Sequence, residues 1–167
     1  MTEYTVRPPR PGDGGGVAAA WRDSADYYLE IAPESFQYPR GEGLDAWLET
    51  KLLTGGEDRL ALVADHAGAA IGFVSATFLR PHEEADRQVT RDVTLPRVFV
   101  NALAVRRDHW HGGAGTELMT AVEHWTRGKG GRLITLEAYG ASPVSVPFYE
   151  HRMGYHRQNI VFAKSLD

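Results

Sequence analysis

Arg97-Val98-Phe99-Val100-Asn101-Ala102-Leu103-Ala104-Val105-Arg106-Arg107-Asp108-His109-Trp110-His111-Gly112-Gly113-Ala114-Gly115 is the stretch whose reading decides the fold. Val98 to Val105 is apolar except for Asn101 and is rich in β-branched residues. A run of that length is too short for a buried helix and reads as a strand covered on both faces. Beyond the glycines, Leu118, Met119, Val122 and Trp125 recur at helical spacing. The order is therefore buried strand, Gly-rich turn, amphipathic helix. Glycines at a helix start let the backbone approach a ligand while the free N–H groups and the helix dipole point at it. That is the arrangement of an anion site, most often for phosphate.

Two nucleotide-loop patterns fail on the letters. A Walker-type loop needs Gly, four residues and then Gly-Lys-Ser/Thr, which does not occur. A dinucleotide fingerprint needs Gly-x-Gly-x-x-Gly, but after Gly113 and Gly115 the third place holds Leu118.

Working outward, Tyr4-Thr5-Val6-Arg7 alternates and can start a sheet until Pro8, Pro9 and Pro11 end it. Asp13 is placed to cap a helix whose face carries Val17, Trp21, Tyr28 and Ile31, and Pro33 stops it. Leu44 to Leu53 reads as a second short helix closed by Gly55-Gly56. Arg59 to Ala64 and Ala70 to Phe78 read as two strands of a hairpin. Arg80 to Pro96 is polar and reads as a loop or strand extension. Leu133 to Ala138 is a further strand, Val144 to Arg152 a short helix, and Tyr155 to Ala163 one or two final strands. This order predicts an α/β fold, a mixed sheet with helices on its faces.

At 167 residues the chain suits one domain, with no cysteine for disulfides, thiolate metals or a Cys nucleophile. No apolar leader and no run of 18 apolar residues is present, which predicts a soluble cytoplasmic protein with no membrane partner. The net charge of −4 argues against nucleic acid as a partner. Residues 1–50 hold four basic and nine acidic side chains (net −5), and residues 91–132 seven basic and four acidic (net +3). Either these are solvated helix faces, or the positive segment lies near a phosphate ligand and the negative one near a cationic acceptor. His109, His111 and His124 do not make the three or four converging ligands of a metal site, so no metal is expected.

Trp110-His111-Gly112-Gly113-Ala114-Gly115, following Leu103-Ala104-Val105, resembles the acetyl-CoA loop of the GNAT acetyltransferase superfamily, Gln/Arg-x-x-Gly-x-Gly/Ala after a Leu-x-Val-like strand end. Trp110 stands where the family usually has Gln or Arg. A second block, Ser142 to Tyr155, resembles the family's Asn-x-x-Ala-x-x-Phe-Tyr-x-x-x-Gly-Phe. In it Phe148-Tyr149 and Gly154 are kept, and Ser142, Ser145 and Tyr155 stand at the Asn, Ala and final Phe places. The resemblance spans residues 3–165 and implies a single domain with a central, mostly antiparallel sheet. It also implies acetyl-CoA as acyl donor, a small-molecule amine as acceptor, and direct attack without a covalent enzyme intermediate. Homodimers are common in the family.

The same resemblance implies site roles. Main-chain groups of Leu103, Ala104 and Val105 would pair with the pantetheine amides. Trp110, His111, Gly112, Gly113, Ala114, Gly115 and Thr116 would hold the pyrophosphate, helped by Arg106 and Arg107 if their side chains turn inward. Ser142 and Phe148 would line the pantetheine arm, and Tyr149 would protonate the leaving thiolate, a task suited to an O–H donor of higher pKa. Tyr28, Phe36 and Tyr38, with Asp23, Asp26 and Glu30 nearby, would wall the acceptor pocket. At the place where many members carry a Glu base, this chain has Asn101, a catalytic position whose amide cannot take a proton. The base stays open among Glu137, His66, Glu83, Glu84 and Asp92, acting through water. The alternatives are an acyltransferase acting on a peptide or protein amine, and a catalytically silent CoA-binding module.

Overall fold

The computed structural model describes residues 3–167, which form two compact units, one ending at Leu136 and the other running from Glu137 to Asp167. The first unit holds strands β1 (Thr5–Arg7), β2 (Arg59–His66), β3 (Ala69–Leu79), β4 (Arg97–Val105) and β5 (Leu133–Thr135), in that spatial order. All pairings are antiparallel except β4 with β5. Helices α1 (Gly14–Ile31), α2 (Leu44–Lys51) and α3 (Ala114–Gly128) complete it. The fold is the mixed α/β sheet flanked by helices that the sequence order implies.

Register assigns the two faces. Val63 faces Phe73, which faces Ala104, and these pack with Val17 and Ala18 of α1 and Leu44 and Leu48 of α2. Leu62, Val74 and Leu103, one residue out of phase, therefore turn to the opposite face. There α3 contributes buried Leu118, Met119 and Val122, the i, i+1, i+4 stripe that its apolar spacing demanded.

Asp13 precedes α1, but its carboxylate makes no cap bond. It takes the Arg7 guanidinium through two bonds of 2.8 and 2.9 Å and also accepts the Arg10 N–H at 2.6 Å. A charge-assisted bidentate pair outcompetes a cap, and Glu49 instead accepts the Gly12 and Gly14 N–H groups. Arg7 also binds Asp65 at 2.8 Å, so one buried guanidinium ties β1 to β2 and to the start of α1. Those bonds hold the carboxyls of Asp13 and Asp65 below the usual carboxylate range.

Three expectations need correction. β4 is not covered on both faces: Val98, Val100 and Ala104 are buried, Phe99 and Leu103 only partly, and Asn101 is exposed. An apolar run reports affinity for cover, whereas cover itself depends on how far the neighbouring helices extend. β5 stops at Thr135 rather than Ala138. In the second unit Tyr155 to Ala163 does not form a strand, since a strand preference without a ladder is only a preference. That unit instead carries helix α4 (Ser145–Pro147) running into a π-helical turn, Phe148–Arg152. Of the two readings of Arg80 to Pro96, the loop is the one found, with two 3₁₀ turns, Ala85–Arg87 and Arg91–Thr94.

Candidate functional site

The β3–β4 register slips by one between Ser75 and Ala76, so that Ala102 faces Ser75, Val100 faces Ala76, and Asn101 is the extra residue of a bulge. Its side-chain amide donates to Thr77 Oγ1 at 2.8 Å. Beside it Ser75 is buried with no hydrogen bond to its hydroxyl. β5 pairs with β4 only along Arg97 to Phe99, so the two parallel strands diverge beyond that point. Past the bulge, Ala104 pairs with Phe73 and the Arg106 N–H donates to Ile71 at 2.7 Å. Strand alternation then turns the main-chain groups of Leu103 and Val105 away from β3, toward the diverging side. Ala104 is buried and directs its own toward β3.

The loop after β4 is held from several directions. A 3₁₀ turn, Arg107–His109, follows the strand, and the Trp110 indole N–H donates back to the Val105 carbonyl at 2.7 Å. Trp110 also meets Tyr27 of α1 edge-on at 5.2 Å. Asp23 of α1 accepts the Arg107 main-chain N–H at 2.8 Å, and Glu30 takes its guanidinium through bonds of 2.8 and 3.0 Å. That pairing holds the Glu30 carboxyl below its ordinary range. Arg106 has Asp23 at 3.5 Å, too poorly aligned for its Nε–H to count as hydrogen-bonded. Thus the Arg107 side chain is paired to α1, and that of Arg106 lies beside Asp23 of the same helix. The positive and negative segments seen in the composition partly neutralise one another here, and Asp23 and Glu30 are committed to the loop.

His111 (φ +61°) and Gly113 (φ +101°) both take positive φ immediately before α3. Gly113 carries the first helical carbonyl, accepting from Glu117 at 3.0 Å. The N–H groups of Ala114 and Gly115 belong to the first turn, ahead of the intrahelical ladder. A Cβ at Gly112 would clash with the Tyr4 hydroxyl and lie 3.1 Å from the His109 carbonyl, so a larger residue there would have to displace the Tyr4 ring. Tyr4, His66 and His109 form an aromatic cluster under the loop, with ring centroids 5.2 to 5.9 Å apart. His66 is therefore not beside the bulge. It pairs with Ala69, six residues from Ser75 along β3, roughly 20 Å at strand rise. Glu83 and Glu84 are exposed, and Asp92 is partly so.

On the acceptor side, Tyr28 and Phe36 stack at 4.4 Å with an interplanar angle of 20°. Tyr38 does not join that stack in any ring contact and is 49 % exposed. Within the second unit the hydroxyl of the buried Ser142 accepts the Ser145 N–H at 3.0 Å, at the start of the short helix. Tyr149 sits in the π turn, ring against Phe148 at 5.0 Å and Tyr155 at 6.0 Å. The Tyr155 N–H donates to the Tyr149 carbonyl at 2.9 Å, and Gly154 supplies the positive φ that this return needs. Among the described residues no three His, Asp or Glu side chains converge on a metal position, and no helix is long and apolar enough to cross a membrane.

Residues 19–155 of the chain match the Acetyltransferase (GNAT) family model. The chain belongs to the GNAT acetyltransferase family. Solved structures of this fold include a Bacillus halodurans protein crystallised as a tetramutant (TM-score 0.75, 16 % identity, 97 % of this chain and 99 % of that one). Another is AAC(6')-Iy with a bisubstrate analogue of CoA and acetylneamine (TM-score 0.64, 18 % identity, 98 % and 99 %). A third is an aminoglycoside acetyltransferase from an uncultured soil metagenomic sample in complex with sisomicin (TM-score 0.61, 19 % identity, 98 % and 97 %). No curated protein matches the chain.

Sequence reasoning missed the supports of the GNAT loop: Tyr4, Tyr27, Asp23 and Glu30. The signal for the last two was present as complementary charge, four acidic side chains along Asp23 to Glu34 against Arg106-Arg107. No one-dimensional pattern said that α1 would cross the loop.

Proposed function

We propose that the protein transfers the acetyl group of acetyl-CoA to a primary amine of a small molecule. The observation that carries this reading is the β4–loop–α3 unit, in which free-edge main-chain groups at Leu103 and Val105 lead to a positive-φ turn that aims N–H groups outward. The fit favours a backbone-read ligand: Gly113, Ala114 and Gly115 would hold the pyrophosphate through N–H donors, with no arginine contact. Part of the free edge is already spent, since Trp110 occupies the Val105 carbonyl, which leaves the Val105 N–H and both main-chain groups of Leu103 for the pantetheine amides. The donor supplies an acyl group on a good leaving thiol. The chain's part is to orient it, admit a neutral amine, and return a proton to the departing sulfur, the role assigned to the Tyr149 hydroxyl.

The acceptor is read as an amine with an apolar or sugar-like body resting near Tyr28 and Phe36. Support comes from the family and from solved neighbours whose own ligands are aminoglycosides. Asp26, not engaged by Arg106 or Arg107 through a bond, remains as the nearby acid for a cationic group. A second reading is favoured by Asn101, whose amide donates to Thr77 and cannot take a proton: a domain that binds CoA without turnover. A thiol-release assay over an amine panel that begins with aminoglycosides tests both. Amine-dependent thiol release supports transfer. Calorimetric binding of CoA with no release by any amine supports the silent module. Absence of CoA binding rejects both.

A further inference from the structure

The face of the sheet that packs on α1 and α2 carries a small polar patch beside the bulge. On β3, Ser75 and Thr77 share the face of Phe73. The bulge turns Asn101 of β4 to the same side, where its Nδ2 donates to Thr77 Oγ1 at 2.8 Å. That bond fixes the amide and leaves its other end, Oδ1, with no donor from the described residues. Asn101 is exposed, whereas Ser75 beside it is 1 % exposed with its hydroxyl unpaired. Asn101 stands between Phe99, the last residue of β4 to pair with β5, and Leu103, whose main-chain groups are read as donor contacts. At strand rise Leu103 is roughly 7 Å away.

Fixed charge on this face of the strands has one sign here. Arg59 of β2 is paired with Thr77, and Arg97 of β4 lies on the same side as Phe99. The other strand residues of the face at this end, Ala61, Leu79 and Phe99, are apolar. On the two helices, Glu49 accepts from Gly12 and Gly14, and Asp23 and Glu30 accept from Arg107. Asp26 and Asp45 are exposed, and Arg22 and Lys51 are cations. Two strand arginines around a neutral amide disfavour an ammonium and suit a neutral N–H donor.

We propose that Thr77 is a positioning residue that holds the Asn101 amide as a neutral hydrogen-bond acceptor for the attacking amine, so that the site takes amines already partly neutral near pH 7. The inference rests on the reading of the chain as an acetyl-transferring enzyme. One N–H of the neutral amine donates to Asn101 Oδ1, which orients the nitrogen lone pair. That pair forms the C–N bond to the acetyl carbon, and the C–S bond breaks with its electrons on sulfur. The proton that nitrogen sheds matches the one the thiolate takes up. Because Asn101 takes no proton, the amine ionises by its own pKa. An α-amino group, of pKa about 7.7–8.0, is roughly one-tenth neutral at pH 7, whereas an alkylammonium of pKa about 10.4 is neutral in less than about one part in 10³. The class is therefore amines made less basic by a neighbouring carbonyl or oxygen, such as α-amino amides and amino sugars.

The experiment takes every amine of the thiol-release panel that is turned over, phenylalanine amide and phenethylamine being included in the panel. For each, kcat/KM is followed against pH in the wild type, Thr77→Val and Thr77→Ser. In the wild type each profile should rise and level at that amine's own pKa. Thr77→Val should lose roughly tenfold in kcat/KM for the amine, the order of one neutral hydrogen bond. Its Tm and its KM for acetyl-CoA should not move, and Thr77→Ser should restore the loss. Profiles that level at one common pH, whatever the amine, overturn the inference, since a protein group then takes the proton. A Val variant equal to wild type overturns it too, as does one whose Tm and donor KM worsen in parallel, which makes Thr77 a packing residue. Should the Val variant fail to fold, the wild-type profiles decide alone. If no amine is turned over, the transfer reading falls and this inference with it, whereas any of the other adverse results removes this inference alone.

Discussion

Gly113→Ala isolates what the backbone of the loop contributes. Gly113 has φ +101° and ψ −8°, and a Cβ built there meets nothing within 4 Å. The penalty is therefore conformational and not steric. An L-residue held in so sparsely populated a region costs about 1–3 kcal/mol. The usual gain of a Gly→Ala change, from a less flexible unfolded chain, is about 0.4–1 kcal/mol, so the net loss should be at most about 2.6 kcal/mol and near 1.3 kcal/mol at the middle of both ranges. For a chain of this size each 1 kcal/mol moves Tm by about 2–4 °C, which gives a fall of roughly 3–5 °C at that middle value. Alternatively the loop relaxes, rotating φ toward negative values and re-aiming the N–H groups of Ala114 and Gly115. The cost then moves from Tm to the affinity for CoA, up to about tenfold for each 1.4 kcal/mol. Scanning calorimetry and titration calorimetry with CoA and with pantetheine, which lacks the pyrophosphate, measure both shares. Gly112→Ala is the steric counterpart, and Tyr4→Phe in the same chain should relieve it by removing the hydroxyl it strikes. If Gly113→Ala keeps both Tm and CoA affinity, the backbone account of the anion site is wrong.

Asp23→Asn keeps a side-chain oxygen but loses the charge facing the Arg107 N–H and Arg106. It should weaken CoA several-fold while leaving pantetheine unaffected, and equal losses for the two ligands in titration calorimetry would assign Asp23 to general stability instead. Tyr149→Phe removes one hydroxyl; kcat should fall by roughly 10²-fold with CoA affinity retained, and undiminished turnover where chemistry limits the rate would remove Tyr149 from the mechanism. Arg7 holds Asp13 and Asp65 below their ordinary value of 3.8, so this stabilisation is complete above that pH and lost as pH falls through the lower folded values. Arg7→Met strands two carboxylates and should cost about 3 kcal/mol or more at pH 7. In urea melts that cost should shrink below about pH 4 as the carboxyls protonate; a pH-independent cost would mean that packing, not charge, is what Arg7 supplies.

Much of the fold was legible because it rests on local periodicity. The strand from Arg97 to Val105, the helix carrying Leu118, Met119 and Val122, and the hairpin through Ala67-Gly68 each announce themselves within a window of a dozen residues. The candidate site was legible where it is made of backbone: Gly112 and Gly113 mark a packing contact and a positive φ that side chains adopt only rarely. It was less legible where side chains meet over long separations. Trp110 sits at a phosphate-loop position, yet its indole closes on Val105 and Tyr27. From the letters Arg106 and Arg107 could equally help a phosphate or be surface charge, and only the structure lays α1 beside them.

By itself the sequence determined the element order from β1 as far as α4, the glycine turn between β4 and α3, and the family motifs, because these depend on near-neighbour geometry and intrinsic backbone preference. Only the tertiary structure decided that Asn101 is the extra residue of a bulge, since a bulge exists only relative to a partner strand. Only it showed Asp13 taken from its helix by Arg7, because a bidentate charged pair outweighs a neutral cap once the guanidinium is buried beside it. The residues Ile160 to Phe162 carry the strand preference in their letters, but a preference becomes a strand only against an edge, and no strand of the described residues pairs with them.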